Sequence, residues 1–327
     1  MAVRQCKQVV HLDQKNWIEL ARGYYGRAPD LQKIAQNVVK KSESGQAIFP
    51  LSIAHFDETV RNLNRERRQR LAKYMMLVSQ GWAILPAPVI VVPEIENACL
   101  KQLGLPCYDL QKFAIKKGVS QLVGAKGALV NRDPSHPLPQ DLKKKLLETM
   151  ESPETLLFLM HSGFAESELK KMQERGLAET EKFEQIRSSW SRIKDNDLRR
   201  RATLADYLVK EINPIAVKFL LSIHVNPEVF ADKVLRDQEK IIRFFQSMPT
   251  SYCLVQLAFY RDMQKMRKVQ PNDLNDITSL SIAIPYSDVV LTETMWQTAI
   301  IQARLNELRP TLVLRSAKEL APILGPN

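Results

Sequence analysis

Carboxylates at the ends of apolar runs are the residues of this chain best suited to chemistry. Asp13 closes the run Val9-Val10-His11-Leu12, and far along the sequence the segment 272–293 holds Asp273, Asp276, Asp288 and Glu293. Carboxylate oxygens are hard donors suited to Mg2+ or Mn2+, and a compact set of them repels itself unless a cation is present. Such a set can hold one or two ions that activate water and stabilise in-line displacement at phosphorus. The competing use of Asp13 and Asp276 is helix N-capping, a common task for Asp. Pattern alone leaves the two uses level.

The elements that must position these residues follow a βαβα rhythm. Strands are expected at Gln8–Leu12, 47–51 and 89–92, with helices over 15–23, 30–41, 52–78 and 94–103. This order favours a parallel sheet covered by helices on both faces. From 104 to 248 the pattern turns mostly helical, with helices over 154–161, 166–189, 203–212 and 227–245 and an irregular stretch over 118–139. The first pattern then resumes: a helix over 251–267, a turn at 271–273, a short helix over 276–283, a strand over 289–292, a helix to 308 and a strand over 311–314. The expected organisation is a core in two parts, 1–103 and 249–327, split by a mostly helical insertion, 104–248.

Ligands of open parallel sheets bind outside the carboxyl ends of the strands. Asp13 and Glu293 stand at such ends, and Asp276 is expected to open a helix on the same side. Asp288 begins the strand that Glu293 ends, roughly 16 Å away at strand rise, and reads as a strand-start or turn residue. Asp273 is a further acidic candidate in the same segment. Glu58 shares a polar stripe with His55, Asn62 and Arg65, opposite Ile53, Phe56, Val60 and Leu63. Spacing alone favours a solvated face for it.

The strings His11-Leu12-Asp13-Gln14-Lys15-Asn16-Trp17, Pro50-Leu51-Ser52 with Glu58-Thr59, Asn272-Asp273-Leu274-Asn275-Asp276 and Pro285-Tyr286-Ser287-Asp288-Val289-Val290-Leu291-Thr292-Glu293 resemble, in content and order, the PIN-like nuclease superfamily. The likeness covers the two core segments and leaves the insertion unaccounted for. It implies a Rossmann-like three-layer α/β/α core and a Mg2+- or Mn2+-dependent site that cleaves RNA, less often DNA. It assigns Asp13, Glu58, Asp276 and Glu293 as catalytic metal ligands, raising Glu58 above its solvated reading. Glu293 stands where the family more often has Asp or Asn.

The remaining composition narrows the alternatives. Lys and Arg number 47 against 36 Asp and Glu, a formal charge of +11, which draws polyanions toward the protein. Arg61, Arg65 and Arg68, with Arg67, Arg70 and Lys73, follow Glu58 on the expected 52–78 helix. Lys265, Arg267 and Lys268 precede Asp273. These clusters flank the acidic residues as a phosphodiesterase requires, although solvated helix faces give the same pattern. Trp17, Tyr24 and Tyr25 could stack on unpaired bases, with core packing the safer reading for Trp17. The five histidines have no HxxxH or HExxH spacing, and His55 reads as a packing or surface residue. No Walker-type loop or GxSxG elbow occurs. The four cysteines lack CxxC spacing, and no apolar run approaches about 18 residues, so a reduced, cytoplasmic protein without a membrane span is expected. The expected activity is a metal-dependent endoribonuclease. A non-catalytic nucleic-acid or protein-binding module and a structure-specific deoxyribonuclease are the alternatives, and the helical insertion could serve a protein partner or a homodimer.

Overall fold

The computed structural model describes residues 7–125, 139–190, 192–264 and 268–325. β1 (Gln8–Leu12) is buried beyond its first residue. α1 (Gln14–Tyr24) and α2 (Pro29–Glu43) follow it. They pack closely because Gly23 has no side chain: a Cβ there would lie 2.9 Å from Leu31. β2 (Ala47–Ile48) runs parallel to β1 and is shorter than expected. Leu51, beyond its end, receives a hydrogen bond from Ile84 N and donates one to Trp82 O, both 2.9 Å.

The helix expected over 52–78 is two helices, α3 (Ile53–Val60) and α4 (Arg65–Ser79). Two asparagines make the break. Asn62 Oδ1 accepts from Asn64 N, and Asn64 Oδ1 accepts from Arg67 N to cap the new helix, the usual competition of Asn side chains with helical hydrogen bonds. The arginine cluster from Arg65 onward therefore sits on a different helix from Glu58.

The third strand is β3 (Trp82–Ile84), and the run 89–92 lies inside α5 (Ala87–Leu103). The β-branched residues suggest a strand, but burial of Ala87, Ile90, Val91, Glu94, Ile95 and Ala98 follows helical spacing, and tertiary packing overrides the local preference. After α6 (Leu110–Ala114), β4 (Ile115–Lys117) pairs antiparallel with β3, so the segment 104–248 contributes a strand. α7 (Val119–Val123) opens the stretch expected to be irregular, most of which lies outside the described residues. The helices then continue as α8 (Gln140–Met150), α9 (Pro153–Ser162), α10 (Glu166–Trp190), α11 (Asn196–Tyr207), a π-helical turn at Leu208–Ile212, α12 (Asn213–Ser222), α13 (Pro227–Val234) and α14 (Gln238–Gln246).

α15 (Pro249–Met263) and α16 (Pro271–Tyr286) precede β5 (Val289–Leu291). α17 (Thr294–Gln302) is shorter than expected and gives way to a 3-10 turn at Leu305–Glu307. β6 (Leu312–Leu314) and α18 (Leu320–Leu324) close the chain. The residues read as a turn at 271–273 are the first turn of α16. Pro271 is accommodated at a helix start because its missing N–H is not needed there, so Asp276 lies a turn inside the helix instead of opening it.

The main sheet is parallel, in the order β2-β1-β5-β6, which with the helices makes a mixed α/β fold. Side chains alternate across it. Val10, Leu12, Val289, Leu291 and Leu314 join one buried cluster with α1, α2 and α4. Val290 and Val313 join another with α5, α15, α16 and α17. Residues of the segment 104–248 are shared between these clusters: Leu122, Leu156 and Met160 in the first, Leu204, Leu220 and Phe245 in the second. Among the described residues no helix is long and apolar enough to cross a membrane. Cys99, Cys107 and Cys253 are free.

Candidate active site at the acidic sheet edge

Leu12 pairs with Leu291 in the parallel ladder, which brings two carboxyl strand ends together. Asp13 N donates to Leu291 O at 3.1 Å, and Thr292 N donates to Leu314 O at 2.9 Å. Asp13 is also the N-cap of α1: its Oδ1 accepts from Asn16 N at 2.8 Å and Asn16 Nδ2 at 2.6 Å. Oδ2 accepts no hydrogen bond among the described residues. One carboxylate can thus fill both roles that the sequence left level, one oxygen fixing the side chain and the other remaining open.

Glu293 immediately precedes α17, is exposed, and makes no capping bond with its side chain. Asp276 reaches the same edge from α16, where its Oδ2 accepts from the buried Trp296 Nε1 at 3.0 Å. That bond ties α16 to α17. Glu58 comes from α3, half-buried, with no side-chain hydrogen bond among the described residues.

The carboxyl groups sense one another. Burial, then Asp276 and Asp13, push Glu58 up to about 7, with Arg61 opposing. Asp276 is raised to about 7 by burial and by Asp13, Glu293 and Asp273, against the Trp296 hydrogen bond. Asp13 is raised to about 6, chiefly by burial and also by Glu293, despite its bonds from Asn16 and the charge of Lys15. Asp13, Glu58, Asp276 and Glu293 therefore belong to one electrostatic cluster, in which ionisation of each member opposes that of its neighbours. Among the described residues no group of three or more His, Cys, Asp or Glu side chains is disposed to hold a metal ion as the side chains stand.

Close in sequence to the carboxylates is a polar floor, with His11, Ser52 and His55 buried, that sequence reading missed. Ser52 and His55 form a capping box at the start of α3: Ser52 N donates to His55 Nδ1 at 3.0 Å, and His55 N donates to Ser52 Oγ at 3.4 Å. Ser279 of α16 joins Ser52 Oγ at 3.3 Å and stands 3.5 Å from His11 Nε2. The His11 and His55 rings stack with centroids 5.2 Å apart. Burial lowers His11 to about 4 and holds His55 well below its ordinary range, so both rings are neutral at pH 7. His55 is thus a packing and capping residue. Its Ser-x-x-His spacing is a variant of the capping box, with imidazole in place of the usual Glu or Gln.

Asp273 and Asp288 are committed elsewhere. Asp273 is buried against Arg261, its Oδ2 accepting from Arg261 Nε at 2.8 Å and from Gln270 N at 2.8 Å at the start of α16. Asp288 lies at the opposite, amino end of β5, accepting from Val9 N at 2.8 Å and facing Arg309 at 3.5 Å. Of the basic residues, Arg61 ends α3 beside Glu58, and its buried Nε has no hydrogen-bond partner among the described residues. Arg65 and Lys268 are exposed. Arg68 is buried and spends its guanidinium on the carbonyls of Asn62, His161 and Ser162, fastening α9 to the turn before α4. Lys265 and Arg267 lie outside the described residues.

No family model matches this chain, and comparison with curated proteins and with solved structures finds no match either.

Proposed function

We propose that the acidic sheet edge is the active site of a divalent-metal-dependent nuclease that hydrolyses phosphodiester bonds, in RNA before DNA. The observation that carries this reading is the convergence of Asp13, Glu58, Asp276 and Glu293 from separate elements into one electrostatically coupled cluster. Proteins rarely gather half-buried carboxylates without a cation or a proton to share. The donor chemistry fits Mg2+ or Mn2+: hard oxygens, with Asp13 Oδ2 and Asp276 Oδ1 accepting no hydrogen bond among the described residues and Glu58 and Glu293 as the further carboxylates of the cluster. The likeness of the four sequence strings to the PIN-like nucleases, with their Rossmann-like core, supports the same assignment.

Each side chain has a distinct part. The cap bonds from Asn16 hold Asp13 in one rotamer, and the Trp296 bond orients Asp276, so both are positioned before substrate arrives. Glu58 and Glu293 carry no comparable bond and would complete the ligand set. When bound, Mg2+ or Mn2+ supplies the Lewis acidity that activates water and offsets charge on the phosphate. Arg61, beside Glu58, would balance the negative charge of a phosphodiester. The neutral imidazoles of the floor add no competing cation.

The test is hydrolysis of single-stranded RNA, single-stranded DNA and branched DNA with Mn2+. Loss of cleavage by at least about a hundredfold is expected for Asp13→Asn and for Asp276→Asn, the scale of removing a group that acts on the transition state. Activity unchanged in both variants would sink the assignment. Salt-sensitive binding of RNA without turnover would instead identify a non-catalytic binding module, and preference for branched DNA a deoxyribonuclease.

A further inference from the structure

A groove of about 430 Å3 runs between α1 and α4, on the helix whose N-cap is Asp13. Its lining is basic: Arg22 on α1, Arg27 in the turn that follows, Arg67 and Arg70 on α4, together with Leu71 and Tyr25. Arg70 is paired with Glu66 on its own helix. Among the described residues, Arg22, Arg27 and Arg67 make no ion pair, and all three are exposed. The one carboxylate within α1, Glu19, acts on Lys318. Three guanidinium groups gathered with no ion pair among the described residues, in a chain of net charge +11, suit an anionic occupant.

Tyr25 says what kind. The residue is 38% exposed, yet its ring is held by Tyr24, edge to face at 5.3 Å, and Tyr24 leans on the buried Tyr74 at 5.3 Å. A fixed aromatic ring beside a row of cations suits an unpaired base joined to a phosphate chain, because stacking requires a base face that a duplex hides. Phosphate or carboxylate alone would leave the ring unused. The groove is near the acidic edge: Arg22 lies nine residues along α1 from Asp13, about 13 Å at helical rise.

The geometry points to the groove between α1 and α4 as a binding site for single-stranded nucleic acid, with Arg22, Arg27 and Arg67 on backbone phosphates and Tyr25 under a base. The identification of the strand as substrate rests on the nuclease reading; the binding site itself does not.

The experiment is fluorescence anisotropy of the full chain with a labelled oligouridylate, in EDTA so that cleavage cannot intervene. The double variant Arg22→Ala/Arg67→Ala is expected to bind about tenfold or more weakly, with a plot of log affinity against log salt shallower by about 1 to 2. Tyr25→Ala should weaken binding about tenfold, while Tyr25→Phe, which keeps the ring and its packing, binds as wild type. Lys170→Ala/Lys171→Ala, an equal loss of charge on α10, should leave affinity within about twofold. Affinity unchanged in the arginine double variant, or an RNA duplex bound as tightly as the single strand, would overturn the proposal. The two readings fail separately. Groove-dependent binding in a protein that shows no Mn2+-dependent cleavage removes the nuclease and keeps the groove. Cleavage with no effect of the arginines or Tyr25 on affinity removes the groove and keeps the nuclease.

Discussion

Glu58 is the residue whose environment departs furthest from what its spacing suggested. On a polar stripe it reads as solvated; in the fold it is half-buried, raised to about 7 by burial and by Asp276 and Asp13, and without a hydrogen bond among the described residues. The linkage has a definite sign. An unfolded Glu58 titrates near its ordinary 4.5, so between there and about 7 the folded chain binds more protons and this residue's contribution to stability falls as pH rises. Glu58→Gln removes that loss. The variant should match wild type at pH 4 and exceed it by about 3 kcal/mol at pH 8 in urea unfolding. Mn2+ at pH 8 should narrow the gap by stabilising the wild type. Equal stability of the two proteins at pH 8 would contradict the coupling. Asp13 and Glu293 were legible because each follows a buried apolar run, whereas the floor of Ser52, His55 and Ser279 was not. With His11, its members come from three separate places in the chain, and each alone has an unremarkable spacing.

Among the elements, α1 carries the most. It begins on Asp13, holds the groove on one face, and meets α2 through Gly23. Alanine at an ordinary helical position gains about 1 kcal/mol over glycine. Here its Cβ would meet the backbone of Leu31 at 2.9 Å, and overpacking of that kind costs about 1–3 kcal/mol. Gly23→Ala is therefore expected to lower stability by about 1 kcal/mol, seen as a reduced melting temperature; a rise would mean that α2 moves aside freely. The elements misread in the sequence share a physical cause. Val and Ile at 89–92 carry a strand preference that burial along α5 overrides, Pro271 looks like a turn but opens α16, and Asn62 and Asn64 interrupt what the apolar period alone carries through to 78. Arg22 and Arg27 are not legible in the sequence, because a single charge on an amphipathic helix or in the turn after it looks solvated until the neighbouring helix shows the groove.

In the whole molecule, the central ladder joins distant parts of the chain: Val9 and Asp288, hydrogen-bonded to each other, are 279 positions apart. The helices between them share the buried clusters on both sides of the sheet, so local opening of either central strand exposes a large apolar area. Peptides spanning β1 and β5 should therefore exchange their amide hydrogens together and among the slowest in the protein, as followed by mass spectrometry. Early exchange of β5 alone would show that the two strands separate without global unfolding. The parallel order of the sheet was legible from the βαβα rhythm; the added antiparallel pair of β3 and β4 was not, because its strands are three residues each and one lies in a helical stretch.

The same pairing sets a schedule. At about 5–20 residues per second of synthesis, β1 leaves the ribosome roughly fifteen seconds to a minute before β5 exists to pair with it. For nearly all of that interval Asp13 stands without Asp276 and Glu293, which are still to be made, and of its acidic partners Glu58 alone is present. The charge repulsion that marks the acidic edge, and any reactivity that comes with it, is thus withheld until almost all of the surrounding structure is available to contain it.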